Sequence, residues 1–484
     1  MLRRIARRTA LVLCALLAPE AAALTLADAL GEARRSDPAL AASRADEDAA
    51  ADALKSAWST WLPELTLQQR FTRLDAETVD RANAFLDFIP STPMPGDSLP
   101  PPTDPPGGTL DYEELRVFRD SHRTELELTW PVITGGARLG AIRMAGGARD
   151  LAAEAKRLEA RRAELETRTT FFSALRATQT IEVLRANAER VDAYLSAARE
   201  RRRAGRATEL DVLRWEVGAE AARADLAEAR AGLTAARASL ERLLGRPLGA
   251  EESLESLVES RDLPELAEIE AVLADTTGDA LRRWSAALRS DAPSVRAAEA
   301  ARRVAAGVVG VATAPLLPSF ALGASYGWQS NETVALDGYR EWNASAILSL
   351  PLLPLATGYF DRAEARARVA AEGYRVEQAR RSTREELLSR SARLRAAAVR
   401  RAHARKGCEA ARMSLVAAER GSARGGVSRL ELEDARVALL ETELGEISAR
   451  TAYYIEAAGL GFLLGFSALT PTGDARTDLL EDAR

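Results

Sequence analysis

The sequence contains an internal repeat, and this repeat limits the possible folds more than any other feature. Pro38 corresponds to Pro293, 255 positions later, and the residues around each proline are similar. Further along the chain the offset is 220, so that Gly205 corresponds to Gly425. Two tandem halves that keep the same order of features predict two copies of one structural unit in a single chain.

The offset changes by 35 residues at one place, between Phe71 and Thr124. This part of the first half holds a proline-rich stretch, residues 90–106, that has no counterpart in the second half. Proline fixes φ and lacks a backbone donor, so such a stretch is typical of a surface loop. We therefore expect the two halves to differ chiefly in one loop.

Each half has the same predicted order of elements: helix, strand, loop, strand, long helix, turn and helix. The first helix covers Leu26 to Trp61 with a restart at Asp37-Pro38, and a short helix is expected near Asp279 to Leu288. The strands are predicted at 64–73, 123–132, 319–329 and 342–350, and the long helices at Ala137–Arg203 and Tyr359–Ala423.

The long helices carry the pattern of a coiled coil. In the first of them, apolar residues recur every seven positions from Leu151 to Phe172, and small residues accompany the repeat in the returning helix. A sustained heptad pattern favours close antiparallel packing, so each half is expected to form a long helical hairpin. Glycines end the outgoing helices, and Thr208 and Ser428 are suited to cap the returning ones.

The strands alternate large apolar residues with small ones, most clearly from Ser319 to Gln329. A buried sheet, a transmembrane helix and a membrane β-barrel are three alternative structures for these segments. Pro315 and Pro318 interrupt the uncharged run and disfavour the helix. A barrel is favoured because tryptophans, which form girdles at membrane interfaces, mark both ends of the strands: Trp61 and Trp130 at the end nearest the helices, Trp328 and Trp342 at the loop end.

Four strands are too few to close a barrel, and an open edge in lipid leaves backbone groups without partners. The barrel interpretation therefore requires that several chains pool their strands. Glu125 and Glu127 fall on the non-apolar face of the second strand and would face the barrel lumen. A solvated face of an ordinary sheet would have the same pattern, so this assignment depends on the barrel.

The N-terminus resembles a cleaved secretory signal. Arg3 to Arg8 form a basic segment, a short apolar segment follows, and small residues precede a cleavage point before Leu24. The whole chain has a net charge of −5, and without residues 1–23 (four arginines and one glutamate) the net charge is −8. A net negative charge disfavours nucleic acid as a partner. Cys408 is then the only cysteine, which excludes an intramolecular disulfide.

The sequence contains few features of an enzyme active site. The sequence lacks a phosphate-binding loop with its lysine, a zinc-protease helix and a nucleophile elbow. His122 and His403 are far apart and have no cysteine or acidic cluster at ligand spacing. We therefore predict no catalytic residue, no cofactor and no metal site, and a transport or structural role instead.

The features taken together resemble the TolC-like outer membrane efflux family. The resemblance rests on the duplication, on Leu62-Pro63 and Leu317-Pro318 before strands, on the two hairpin turns and on the Leu-Leu-Gly that closes each half. It implies a mainly α-helical chain with four strands that contributes to a 12-stranded barrel in a homotrimer. Below the barrel the duplicated hairpins would form a helical barrel across the periplasm.

The resemblance also implies a function and partners. Such a protein is a passive exit duct in the outer membrane lipid, and it docks to a periplasmic adaptor (a membrane fusion protein) and an inner-membrane pump of a tripartite efflux or type I secretion system. Drugs, metal ions and polypeptides leave through similar ducts, so the cargo is not specified. The alternative is a periplasmic coiled-coil adaptor or scaffold without a channel, although an adaptor normally has one hairpin rather than two.

Family likeness assigns roles near the hairpin turns. Acidic residues after the second turn line the periplasmic aperture, and the corresponding positions are Glu431 and Asp434. Glu433 stands where the family usually has an apolar residue, and acidic residues also favour any helix N-terminus, so both explanations stay open. The candidate adaptor contacts are the turn residues Gly205, Arg206, Thr208, Gly425, Gly426 and Ser428.

These inferences divide the chain into five parts. Residues 1–23 are the signal peptide and 468–484 a C-terminal tail. The first repeat covers 24–245 and the second 292–467, and residues 246–291 form a linker that resembles the equatorial segment of the family.

Overall fold

The computed structural model describes residues 23–88, 117–249, 252–257, 263, 266–274, 279–330, 339–352, 356–424 and 426–465. The described chain is mostly helical, with one four-stranded sheet, as the sequence predicts. The elements in chain order are α1 Leu26–Ser36, α2 Pro38–Ser59, β1 Glu64–Arg73, α3 Ala76–Phe88, β2 Asp120–Thr134, α4 Ala137–Arg203, α5 Glu209–Leu244, α6 Leu266–Ala274, α7 Asp279–Asp291, α8 Pro293–Thr313, β3 Ser319–Ser330, β4 Tyr339–Ser349, α9 Ala356–Ala423 and α10 Arg429–Leu464.

The chain forms two compact units, and each half of the sequence contributes to both. The described residues of the first unit fall within 1–51, 147–302 and 370–484, and those of the second within 52–146 and 303–369. The core of the first unit is a continuous apolar cluster that includes Phe171, Phe172, Leu387 and Leu460, all of them almost completely buried. The second unit contains the sheet.

The described part of the segment between the halves packs into the first unit. Leu263, Leu266 and Ile269 belong to its core, and the hydroxyl group of Tyr453 donates a hydrogen bond to the Glu270 carboxylate. The segment begins at Arg246, whose guanidinium contacts Glu32 and Glu252 at 2.8 Å each. These buried apolar contacts and ion pairs attach the segment to the helices of both halves.

The sheet is antiparallel, with the strand order β1-β2-β3-β4. Strand β2 is longer than predicted, because a register shift between Pro131 and Ile133 lets pairing continue to Thr134. Proline is tolerated at such a bulge, where one ladder hydrogen bond is missing. Strand β4 begins three residues earlier than predicted, because Gln329 pairs with Tyr339.

Helix α3 lies in a region where we expected only a loop. Asp75 accepts a hydrogen bond from the backbone amide of Thr78 at 2.9 Å, which satisfies one of the free donors at the helix start. Asn83 then exchanges hydrogen bonds of 2.8 and 2.9 Å with the backbone of Val117. The proline-rich stretch 90–106 lies outside the described residues, as do residues 1–22 and the tail 468–484.

Within the described ranges, no helix is both long enough and apolar enough to cross a membrane.

Candidate functional site

The four strands give the sheet two chemically different faces. The register places Leu67 of β1 opposite Leu126 of β2, Leu126 opposite Tyr326 of β3, and Tyr326 opposite Trp342 of β4. Opposed residues of paired strands share a face, so this row defines an apolar face. Its other apolar members are Leu65, Phe71, Leu128, Trp130, Phe320, Leu322, Ala324, Trp328, Ala344, Ala346 and Leu348.

The apolar face is uncovered in the single chain. Leu67 is 70% exposed and Trp342 73% exposed. The face extends from Phe320 to Trp328 along β3, which at the usual rise is about 27 Å. An exposed apolar surface of this size marks contact with a partner or a membrane. At the strand tilt of 35–45° that membrane β-barrels have, this strand length would correspond to a height of about 20 Å, close to their apolar band of roughly 25 Å.

The predicted tryptophans lie at the ends of this face. Trp130 donates a hydrogen bond from its indole nitrogen to the backbone oxygen of Trp61 at 3.0 Å, at the end where the sheet meets the helices. Trp328 and Trp342 are near the connection between β3 and β4, and Trp328 packs edge-on against Tyr326. An indole joins an apolar ring to one polar N–H group, and this combination is typical of residues at a membrane interface.

The opposite face is polar and carries the two predicted lumen residues. Glu125 and Glu127 lie on it, and Gln68 donates a hydrogen bond to Glu127 at 3.1 Å. Small residues occupy most of its β3 positions, among them Gly323, Ser325 and Gly327. A polar face with small side chains leaves space above the sheet, which suits the wall of a water-filled duct.

The first hairpin turn, between α4 and α5, has well-defined caps at both ends. Gly205 has φ +69°, and the amide of Arg206 donates to the carbonyl of Arg201 at 2.8 Å. Thr208 and Asp211 form a capping box at the start of α5. The hydrogen bond from the Thr208 backbone lowers the pKa of Asp211 to about 2, because it stabilises the ionised carboxylate.

The second turn, between α9 and α10, repeats this arrangement. Ser428 and Glu431 form a capping box, and the Ser428 amide donates to the Glu431 carboxylate at 2.7 Å. This hydrogen bond holds the pKa of Glu431 below its usual value. Gly425 lies outside the described residues, whereas the amide of Gly426 donates to the carbonyl of Gly421 at 3.0 Å.

The two candidate aperture residues therefore have different environments. The carboxylate of Glu431 is engaged in capping its own helix. Asp434, one turn later, is exposed and has no hydrogen bond or ion pair in the described part of the chain. Asp434 is thus the residue that can present an uncompensated charge, whereas Glu431 fits the structural explanation based on the helix N-terminus.

Contacts between the two hairpins were not foreseen from the sequence. Next to the turns, Arg429 at the start of α10 contacts Asp211 at the start of α5, with 2.9 Å between Nη1 and Oδ1. Farther from the turns, the guanidinium of Arg436 lies 4.6 Å from the ring centre of Tyr194 and 5.1 Å from that of Trp215. Such contacts couple α5 and α10 electrostatically and through cation–π attraction.

The aromatic contact involves all four long helices. The rings of Tyr194 and Trp215 stack at 5.1 Å, and the Tyr194 hydroxyl donates to Glu419 of α9 at 3.1 Å. Burial lowers the pKa of Arg436 and raises the pKa of Tyr194, since both charged forms lose solvation there. The only sequence signal was the presence of two aromatic residues in helices that contain few.

The structure gives the spacing of possible metal ligands and the surroundings of the two histidines. Across the described ranges, no three His, Cys, Asp or Glu side chains lie close enough together to hold a metal ion. The ring of His122 packs against that of Phe71 at an angle of 37°, with ring centres 4.9 Å apart, and His403 is exposed on α9. The two features on which a functional proposal can rest are the two-faced sheet and the ends of the hairpins.

Comparison with known proteins agrees with this geometry. A family model described as outer membrane efflux protein matches residues 29–246 and 284–466. The chain is similar in structure to the CmeC outer membrane channel of Campylobacter jejuni, with a TM-score of 0.73 at 14% identity, over 95% of this chain and 89% of that one. VceC of Vibrio cholerae gives a TM-score of 0.69 at 16% identity, over 91% and 96%.

The open state of the Neisseria gonorrhoeae MtrE outer membrane channel is also similar, with a TM-score of 0.64 at 18% identity, over 91% of this chain and 88% of that one. At these identities the likeness shows a shared fold. No match was found among curated protein sequences.

Proposed function

The chain belongs to the outer membrane efflux protein family, and from this premise we propose that it forms a passive exit duct whose wall is the polar face of the sheet. Proteins of this family are channels rather than enzymes. The protein is an outer membrane channel of an efflux system, with a long helical extension into the periplasm. Its homologues are homotrimers that dock to periplasmic adaptors and inner-membrane pumps.

The observation that carries the proposal is the two-faced sheet with two open edges. Among the described residues, strands β1 and β4 are each paired on one side only, and unpaired strand edges cannot persist in lipid. Pairing β4 of one chain with β1 of the next in a trimer would give 12 strands and close the sheet. The apolar face would then contact lipid, and Glu125 and Glu127 would point into the lumen.

The tandem repeats supply the periplasmic part of the proposed duct. Support for repeats at 24–245 and 292–467 comes from pairs of features 220 residues apart. Asp211 and Glu431 both complete capping boxes, and Gly245 and Gly465 end helices with φ of +71° and +78°. The linker 246–291 joins the repeats, and we assign residues 1–23 to the secretion signal and 468–484 to the tail.

The hairpin ends form the proposed periplasmic aperture and docking surface. Three copies of Asp434 would form an acidic ring, and the Arg429–Asp211 and Arg436–Tyr194 contacts would hold the two hairpins of each chain together. The adaptor would contact the turns, where Arg206 is exposed and backbone groups of glycines are accessible. The pump rather than the duct would choose among drugs, metal ions and polypeptides.

The experiment that tests the duct is reconstitution of the purified protein in planar lipid bilayers. We expect a detergent-resistant trimer in the outer-membrane fraction and discrete single-channel conductance steps without an energy source. A monomer recovered in the soluble periplasmic fraction, with no conductance, would contradict the duct and support the adaptor or scaffold.

A further inference from the structure

Charged residues on the polar face of the sheet are arranged in rows, each row consisting of residues that lie opposite one another in neighbouring strands. In its strands this face carries four glutamates and two arginines, so each chain has a net of two negative charges there. Arg70 and Arg123 are opposite one another in one row, and the glutamates occupy the next three rows toward the helices: Glu125 with Glu341, then Glu127, then Glu64.

Arg123 and two of these glutamates form an ion-pair network across three strands. Its Nε lies 3.3 Å from Oε2 of Glu125 on the same strand, and its Nη2 lies 3.3 Å from Oε2 of Glu341 on β4. To reach Glu341 the arginine extends over the intervening strand β3, a span of about 10 Å between β2 and β4. The network therefore lies along the polar face rather than projecting from it.

A glycine lies beneath this arrangement. Gly327 is the β3 residue between Glu125 and Glu341 in the register, and a Cβ placed on it would lie 3.8 Å from both Cβ and Cγ of Glu125. The Glu125 side chain thus covers the glycine, and a longer side chain at position 327 would displace it.

We propose that this network, with Glu127 and Glu64 below it, is a charge-selective ring that admits cationic solutes in preference to anionic ones. It rests on the proposed function, because the polar face lines a lumen only when three chains close the sheet. Three copies would carry a net of six negative charges, and charges lining a narrow low-dielectric cleft raise the local concentration of counter-ions.

The reactivity of a cysteine introduced into the sheet can test the charge selectivity of this ring separately from any selectivity of the periplasmic aperture. Ser325→Cys places a thiol on the polar face in the Glu127 row, and Ala324→Cys places one on the apolar face. Cationic and anionic methanethiosulfonate reagents of similar size are added from the outer side, and the ratio of their reaction rates reports the local potential. Cys408 is buried, and burial raises the pKa of its thiol to about 11, so it contributes little reaction.

We expect Ser325→Cys to react faster with the cationic reagent and Ala324→Cys to stay protected in lipid. Adding Arg123→Gln to the Ser325→Cys variant should raise the cation-to-anion rate ratio by roughly threefold, because the uncompensated Glu125 of the same chain lies one row, or about 8 Å, from the thiol, within a Debye length. Arg340→Gln is the matched control: it removes the same charge from the apolar face, in the Trp328 row, and should leave the ratio unchanged.

Glu341→Gln is the second variant if Arg123→Gln does not assemble, and it should lower the ratio. If Arg123→Gln and Arg340→Gln change the rate ratio equally, the proposed charge-selective ring is wrong. It is also wrong if neither Arg123→Gln nor Glu341→Gln changes the ratio. Neither result would contradict the duct. Reaction at both cysteine positions, or at neither, would instead contradict the closed barrel itself.

Discussion

At the scale of single residues, the hairpin ends show how identical local chemistry can serve different roles. Glu431 and Asp211 are corresponding residues of the two halves, and both carboxylates cap their own helices. Asp211 also binds Arg429 of the other hairpin, whereas Asp434 has an exposed carboxylate without a partner in the described chain. The position of a residue in the capping box thus determines that it caps its own helix, and tertiary contacts determine its further interactions, such as the ion pair of Asp211.

The difference between Glu431 and Asp434 leads to a prediction about conductance. Replacing both with alanine should raise single-channel conductance if acidic residues narrow the aperture, and Asp434→Ala should account for most of the increase. Glu431→Ala should act mainly on the stability of α10, because it removes the cap. Planar bilayer recordings measure both variants, and an unchanged conductance for Asp434→Ala would remove this residue from the aperture.

The lowered pKa of Asp211 predicts a pH-dependent contribution to stability. A carboxyl group whose pKa is about 2 in the folded chain and about 3.9 when unfolded stabilises the fold fully above pH 4. That contribution is lost as the pH falls from about 4 to 2. The difference in thermal midpoint between the wild type and Asp211→Asn should therefore be constant above pH 4 and shrink below it.

The matched control for this measurement is Asp225→Asn on the same helix, an exposed residue with no hydrogen bond or ion pair in the described chain. Its difference in thermal midpoint should be small across the same range. A difference for Asp211→Asn that persists at pH 2 would contradict the assigned role of the carboxylate.

At the scale of elements, glycine sets the distance between α4 and α8. A Cβ placed on Gly140 would lie 2.6 Å from the backbone nitrogen of Val311 and 2.9 Å from the carbonyl oxygen of Gly307. The two helices therefore touch through their backbones, which is closer than any pair of side chains would allow. Helix propensity alone would favour alanine at this position by about 1 kcal/mol.

Gly140→Ala should therefore destabilise the protein despite the better helix propensity, because the backbone of α8 has to move. Gly146→Ala in the same helix is the control: a Cβ there meets nothing within 4 Å, so it should stabilise by up to about 1 kcal/mol. Urea unfolding of the two variants measures the difference. Equal stabilisation by both would show that α4 and α8 are not in backbone contact.

At the scale of the whole molecule, the two faces of the sheet decide where the chain can reside. The helices contain most of the charged residues, whereas the sheet has an uncovered apolar face. The amino-acid composition of the whole chain is therefore an average over two chemically different parts. Assembly into a trimer would satisfy both the open strand edges and the apolar face. The family assignment confirms the predicted outer membrane channel, whereas the twelve-stranded barrel and its residues remain proposals.

A pair of lysine substitutions tests the orientation of the sheet. Ala344 lies on the apolar face and Asn343, its neighbour in β4, on the polar face. Ala344→Lys should destabilise the assembled barrel by about 2–4 kcal/mol if it faces the middle of the bilayer, and Asn343→Lys should be tolerated. The yield of heat-resistant trimers in lipid vesicles measures this, and equal yields for both variants would contradict the assigned faces.

The sequence by itself determined the local structure. Heptads, alternating strands and turn signals predicted all four strands and both long hairpins to within a few residues, because those features depend on neighbours in the chain. Helix α3 was missed, since a proline-rich stretch outweighed a short helix beside it. The duplication and the order of the local patterns along the chain resembled the TolC-like outer membrane efflux family, and the family model confirms this resemblance.

Only the tertiary structure decided which distant residues meet. The Arg436–Tyr194–Trp215 contact, the Arg429–Asp211 ion pair and the network of Arg123 over Gly327 each join residues far apart in the sequence. No periodic pattern encodes such contacts, because the distance and relative rotation of packed helices and the pairing of strands depend on the sum of all side chains at the interface. The sequence repeat determined the helices and strands, and tertiary packing determined which of their residues are in contact.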